Sequence, residues 1–364
     1  MLTIKNMLKG VIKKELDDYC KYRLEEGVLE KTVDADKNIL IRVITLNRKD
    51  IRKWTNQDAR QLKRDIYEFP LNLKSYKEYE GLPSHEVMNS LSSMEYQRIA
   101  NETAKGYLRL IKSFYKWLKI NRLVDVDIFY GINPKKDDKK EYEARDEFSE
   151  EDIELMISDE IFHKKEYVKT FKYWVMLLCI ELGLRQAEAA QLHSLNIKVI
   201  LGIWCVEVIR DKNRNQRVKT KNGIRVIPIT KNLIRLGFLD FVEDSGEGQI
   251  FKDISPDKRD GWGRKVSRWF SDKKKEWNFE GKKDFHSIRH TFTNTLKQCD
   301  IEEVVAAEIS GHTGGGITYR RYGKPYNLKK KRKIIEKNTP KCVKKLPRIY
   351  PRKNIKSYLN WLIL

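Results

Sequence analysis

Asn133-Pro134, followed by the charge-dense run from Lys135 to Asp146, divides this chain in two. Proline disfavours helix in the residue before it, and a highly charged segment without apolar periodicity buries too little surface to order itself. The run reads as an exposed linker, and 364 residues leave enough chain on either side for a hydrophobic core. The expected division is a domain over 1–135, a linker over 136–147, a second domain over 148–336 and a basic tail over 337–364.

The first domain reads as largely helical. Its best-defined helix runs from about Thr103 to Leu123, where Tyr107, Leu108, Ile111, Phe114, Tyr115 and Leu118 recur at three- and four-residue spacing. Lys105, Arg109, Lys112, Lys116 and Lys119 fall mainly on the other faces, as either a phosphate-binding side or the solvated surface of a core helix. The second domain opens at Ser149-Glu150-Glu151-Asp152, a capping-box start before Ile153, Leu155, Met156 and Ile157. Trp174 to Leu182 is mostly apolar, Gly183 interrupts it, and Gln186 to Leu192 resumes helical spacing, so Arg185 lies at a helix-helix turn. Ile203–Ile209 and Ile224–Ile229 are rich in branched residues, and Asn222-Gly223 predicts a tight hairpin turn. The fold class expected is mainly α with a small β-sheet, a helical first domain preceding a mixed α+β second one.

Lys and Arg number 74 against 52 Asp and Glu, a formal charge of +22 that favours a polyanionic partner through counterion release. Cys20, Cys179, Cys205, Cys299 and Cys342 are odd in number and widely separated, which fits a reduced cytoplasmic protein. The first twenty residues lack a signal-peptide core, and the closing Tyr358–Leu364 is too short to span a bilayer. No acidic pair accompanies the histidines at metal-ligand spacing, and no phosphate-binding Gly-rich loop is present, which argues against a metal nuclease or an NTPase.

Four segments carry the chemistry: Gly183-Leu184-Arg185-Gln186-Ala187-Glu188, His286-Ser287-Ile288-Arg289-His290-Thr291-Phe292, Ser310-Gly311-His312, and Thr318-Tyr319-Arg320-Arg321-Tyr322-Gly323. Guanidinium forks at Arg185 and Arg289 suit phosphate oxygens, because they stay charged and bind bidentately. Glu188, three residues after Arg185, stands where it can pair with that arginine across one helical turn. Together the segments resemble those of the tyrosine recombinases of the phage integrase family. That pattern is a Gly-Leu-Arg-x-x-Glu turn, a His-x-x-Arg-His helix start, a Gly-His and a nucleophilic tyrosine shortly after.

The resemblance spans roughly 85–336. It implies a helical core-binding domain joined to a catalytic domain, with Arg185, Lys219, His286, Arg289, His312 and Tyr322 as catalytic residues. Tyr319 lies seven residues after His312 and Tyr322 lies ten after, and the family's nine-or-ten spacing favours Tyr322. A phenol is mostly neutral at pH 7, and His286 and His312 are placed to help it lose its proton. Lys219-Thr220, Arg225 and Ile227-Pro228 resemble the family's β-hairpin, which implies Lys219 as the proton donor to the leaving oxygen, with Lys221 an alternative. The implied reaction passes through a covalent 3′-phosphotyrosyl intermediate and needs no metal, ATP or other cofactor. The implied partners are double-stranded DNA at attachment sites, a homo-tetramer on synapsed DNA, and an accessory DNA-bending or directionality factor. Lys105, Arg109, Lys112 and Lys116 are the DNA-binding candidates of the first domain. Integration or excision of a prophage or genomic island is the expected task. A type IB topoisomerase and a catalytically decayed DNA-binding protein are its rivals. Asn327 to Lys337 reads as a basic helix for docking on a neighbouring protomer, and the stretch beyond Pro340 as an extra DNA arm or a poorly ordered extension.

Overall fold

The computed structural model describes residues 11–71, 77–92, 94–136, 146–312 and 326–352. The chain forms two compact units, Met1–Lys140 and Glu141–Leu364.

In the first unit the described helices are α1 (Val11–Glu25), α2 (Glu30–Ile44), α3 (Asn56–Tyr67), α4 (Ser84–Leu91) and α5 (Asn101–Ile120). The apolar face of α5 is the centre of the core. Leu108, Ile111, Phe114, Tyr115 and Leu118 are buried in one cluster with Leu40, Val43, Leu62 and Ile66 of α2 and α3. The helix stops short of the expected Leu123 because the chain reverses at Arg122, whose φ is +58°. Its basic residues are not equivalent. Lys105 and Arg109 both pair with Glu102 (3.2 and 2.7 Å), Lys112 Nζ donates to the Ile132 carbonyl (2.8 Å), and Lys116 and Lys119 are exposed.

The second unit begins with α6 (Glu150–Ser158), whose capping box between Ser149 and Asp152 is formed. Next comes α7 (Phe171–Leu182), buried along nearly its whole length, as expected of a helix apolar all round. Around it pack α8 (Gln186–Ala190), strands β1 (Ile197–Ile200), β2 (Ile203–Val208) and β3 (Arg225–Pro228), then α9 (Lys231–Leu236), α10 (Phe238–Ser245), α11 (Gly263–Trp277), α12 (Phe285–Gln298), α13 (Glu303–Ser310), α14 (Leu328–Asn338) and α15 (Lys341–Lys345). The strands form one antiparallel sheet, β1-β2-β3, with Val206 facing Ile197 on one side and Ile227 on the other. Among the described residues, no helix is long and apolar enough to cross a membrane.

Two expectations are corrected. The tight hairpin turn at Asn222-Gly223 is absent: Lys221–Gly223 is a short 3₁₀ turn, and neither Asn222 nor Gly223 adopts positive φ. The reversal occurs earlier, where Asp211 and Gln216 pair and Asn215 takes φ +52°.

The stretch after Pro340 is not a loose extension as far as Tyr350. Val343, Leu346 and Tyr350 are buried in the main core, and Tyr350 packs against Trp174 and Phe241. Arg348 pairs with the buried Asp240 (2.7 Å), Tyr350 OH donates to Asp244 (2.6 Å), and Arg235 donates to the carbonyls of Lys344 and Leu346. α14 packs on β3 and α7 of its own chain. Ile335 is fully buried, and Lys331 pairs with Glu308 (2.8 Å). Truncating a buried aromatic side chain forfeits its transfer energy and leaves a cavity. Tyr350→Ala is therefore expected to lower stability by about 3 kcal/mol in denaturant unfolding, whereas the exposed Lys341→Ala should change it by less than about 0.5 kcal/mol.

Candidate active site

The site is built where three chain segments meet at the end of α13. The first leaves α7 through Gly183, whose φ of +61° ends the helix. A Cβ there would lie 2.3 Å from the Phe292 ring, so the approach of α12 as well as the backbone angle demands glycine. Leu184 is buried, and Arg185 then caps α8. Glu188, at the third position of that helix, accepts from Arg185 N (3.1 Å) and Arg185 Nη1 (2.6 Å). Its second oxygen also accepts from Arg225 Nη2 at 2.9 Å. Burial alone would push this carboxyl up, but Arg225 and Arg185 outweigh it and hold Glu188 below the usual carboxylate range.

The second segment is α12. Asp284 caps it by accepting from His286 N (2.8 Å) and Ser287 N (3.1 Å), which fixes the register of the following turn. His286 and His290 meet edge to face at 4.9 Å. Arg289, one turn in, is 2% exposed and donates to the carbonyls of Gly183 and Ser310. Its Nε has no hydrogen-bond partner among the described residues. Burial, then the neighbouring Arg185 and Arg225, lower its pKa to about 9, so it stays a cation at neutral pH.

The third segment is the carboxyl end of α13 with Gly311 at φ +71°. Arg225 Nε donates to the Ile309 carbonyl (2.8 Å), Arg289 to that of Ser310, and Arg185 Nη2 to that of Gly311 (3.3 Å). His312 follows directly. His312 is exposed, yet partial desolvation and the positive fields of Arg289, Arg185, Arg225 and His286 lower its pKa to about 4. Lys219 and Lys221 are both exposed, on the segment leading to Gly223, which lies against the Arg185 side chain. Tyr319 and Tyr322, with Gly314–Gly316, lie outside the described residues. On the far side of that segment, Glu308 accepts from Tyr326 N (3.0 Å) and Lys331 Nζ (2.8 Å), and Tyr326 OH donates to Glu302 (2.9 Å), so the chain returns to α13.

Arg185, His286, Arg289 and His312 thus converge as the sequence motifs imply. Sequence reasoning missed Arg225 as their shared neighbour. The available signal was that Arg225 shares its strand face with the buried Ile227.

A model of the phage integrase family matches residues 150–328. Those residues belong to the phage integrase family. The chain is a tyrosine recombinase, a site-specific recombinase that breaks and rejoins DNA strands. A sequence search of the curated proteins finds no match. The fold is similar to that of the Tn1549 transposon integrase solved with a circular intermediate DNA. That match has 16% identity and a TM-score of 0.56, and covers 89% of this chain and 98% of the other. It is also similar to that of the lambda integrase tetramer bound to a Holliday junction, at 15% identity and a TM-score of 0.53, covering 84% and 78%. These likenesses concern the fold. The recombinase's guanidinium cluster makes a pH prediction. Unfolded, His312 binds its proton near 6.5, whereas folded it does so near 4. The unfolded state therefore holds more protons between those values, and this group's contribution to stability is lost as pH falls from 6.5 to 4. An NMR titration should place the His312 midpoint near 4. A midpoint near 6.5 would mean that the cations do not act on it.

Proposed function

We propose that Arg185 and Arg289 hold one scissile phosphate of duplex DNA and that Tyr322 attacks it. The observation that carries this reading is the convergence of Arg185, Arg289, His286 and His312 at the end of α13. A phosphodiester in displacement gathers negative charge on its equatorial oxygens, and catalysis consists mainly of aiming fixed cations at them. The phenol oxygen of Tyr322 forms a bond to phosphorus while the bond to the 5′-oxygen breaks. His286 and His312 assist loss of the phenol proton, and Lys219, or Lys221 beside it, gives a proton to the leaving 5′-oxygen. The product is a 3′-phosphotyrosyl link and a free 5′-hydroxyl. Attack by a 5′-hydroxyl on that link rejoins a strand with no net change in bond type, so the sequence needs no ATP.

The domain roles belong to the same proposal. Residues 148–336 are the catalytic domain, and residues 1–135 are a core-binding domain that grips DNA through its basic α5 surface. Lys116 is exposed, whereas Lys105 and Arg109 share Glu102 and Lys112 is engaged by a carbonyl. The tail contributes packing to the catalytic domain through Tyr350. The working form is a homo-tetramer on two attachment sites in the cytoplasm, with an accessory bending or directionality factor, and it integrates or excises a mobile element.

Trapping on a nicked attachment-site duplex, without divalent metal, tests the reading. A protein–DNA adduct should form with wild type and Tyr319→Phe and disappear with Tyr322→Phe. Arg185→Ala or Arg289→Ala should slow its formation about a hundredfold or more. Tight binding with no adduct on any junction sequence would leave only a DNA-binding role.

A further inference from the structure

Arg225 heads β3 opposite Val208, and its side chain is 5% exposed. All three of its nitrogens are committed to acceptors of this chain: Nε to Ile309 O (2.8 Å), Nη1 to Gly223 O (2.8 Å) and Nη2 to Glu188 Oε2 (2.9 Å). Every guanidinium nitrogen of Arg225 is thus engaged, Nε included, so a phosphate would have to compete with these charge-assisted bonds, whereas the likewise buried Arg289 keeps an Nε without a hydrogen-bond partner among the described residues. Yet each acceptor adjoins a residue of the site. Ile309 O lies on the helix end that presents His312, Gly223 lies against Arg185, and Glu188 is the carboxylate that holds Arg185.

Charge makes the same case. Were Glu188 paired with Arg185 alone, its carboxylate would neutralise the cation meant for substrate. Sharing it with Arg225 restores the balance, so three guanidiniums against one carboxylate leave two positive charges. A phosphodiester brings one negative charge and gains another as it reacts, which that surplus matches.

We infer that Arg225 is a positioning residue: without touching DNA, it fixes Glu188 to the carboxyl end of α13 and thereby holds Arg185 and His312 in register on one phosphate. The inference rests on the recombinase reading above. Its effect should fall on the rate of the chemical step, because a misplacement of about 1 Å in a positioned group can cost up to a hundredfold.

The experiment is single-turnover adduct formation on the nicked duplex at saturating protein, comparing wild type with Arg225→Lys, Arg225→Gln and Glu188→Gln. Each preparation is standardised by its adduct end-point, so that poorly folded material lowers amplitude and not rate. Arg225→Lys keeps a charge but loses the fork. It should slow the rate tenfold to a hundredfold while the duplex dissociation constant stays within twofold of wild type, and Glu188→Gln should behave alike. An Arg225→Lys rate within twofold of an active wild type overturns the inference. So does a dissociation constant that rises in step with the rate loss, since that would make Arg225 a DNA contact. If wild type itself forms no adduct, the recombinase chemistry falls and this role falls with it.

Discussion

The last turn of α13 leaves carbonyls without intrahelical partners and carries the negative end of the helix dipole. Three consecutive carbonyls there, those of Ile309, Ser310 and Gly311, accept from Arg225, Arg289 and Arg185 in turn. The arrangement solves two problems together. It satisfies a helix end that would otherwise be buried with orphaned acceptors, and it offsets part of the repulsion among three closely spaced cations. The cations come from a turn, a strand and a helix far apart in sequence, so this junction is where the second unit's topology becomes a site.

The junction is rigid because what surrounds it is packed. α7 is buried along nearly its whole length and delivers Gly183 beneath Phe292, so the carbonyl that takes Arg289 has little freedom to shift. Glu188 is 3% exposed, and its two oxygens are divided between two guanidiniums. Single removal of one partner from such a network leaves a buried charge unmatched, which costs more than the contact itself. α14 and the segment through Tyr350 complete the same core from behind β3, α7 and α10. Residues that read as a basic extension are thus part of the scaffold on which the site hangs.

Features whose determinants are local were legible in the sequence. The period of α5, the Ser149 cap and the turn at Arg185 all depend on residues within one or two turns. The role of Arg225 was not, because its acceptors Glu188 and Ile309 stand 37 and 84 residues away. The docked tail was hidden for the same reason: Tyr350 and Arg348 are held by Asp244 and Asp240, 106 and 108 residues earlier. The turn between β2 and β3 misled in the opposite direction. Asn222-Gly223 satisfies a local rule, but Gly223 has to pass close to Val218 and beside Arg185, and the reversal falls at Asn215 instead. Tyr322, assigned from its spacing to His312 and its Thr318 and Gly323 neighbours, lies outside the described residues.

The central claim is that Arg185 and Arg289 act as one unit on a single phosphate, coupled through the end of α13. A double-mutant cycle on the single-turnover cleavage rate tests it directly, using Arg185→Ala, Arg289→Ala and the double variant. Groups that work as a unit are strongly non-additive. The double variant should therefore be little slower than the slower single variant. Losses that simply multiply would place the two arginines at independent tasks and contradict the shared site.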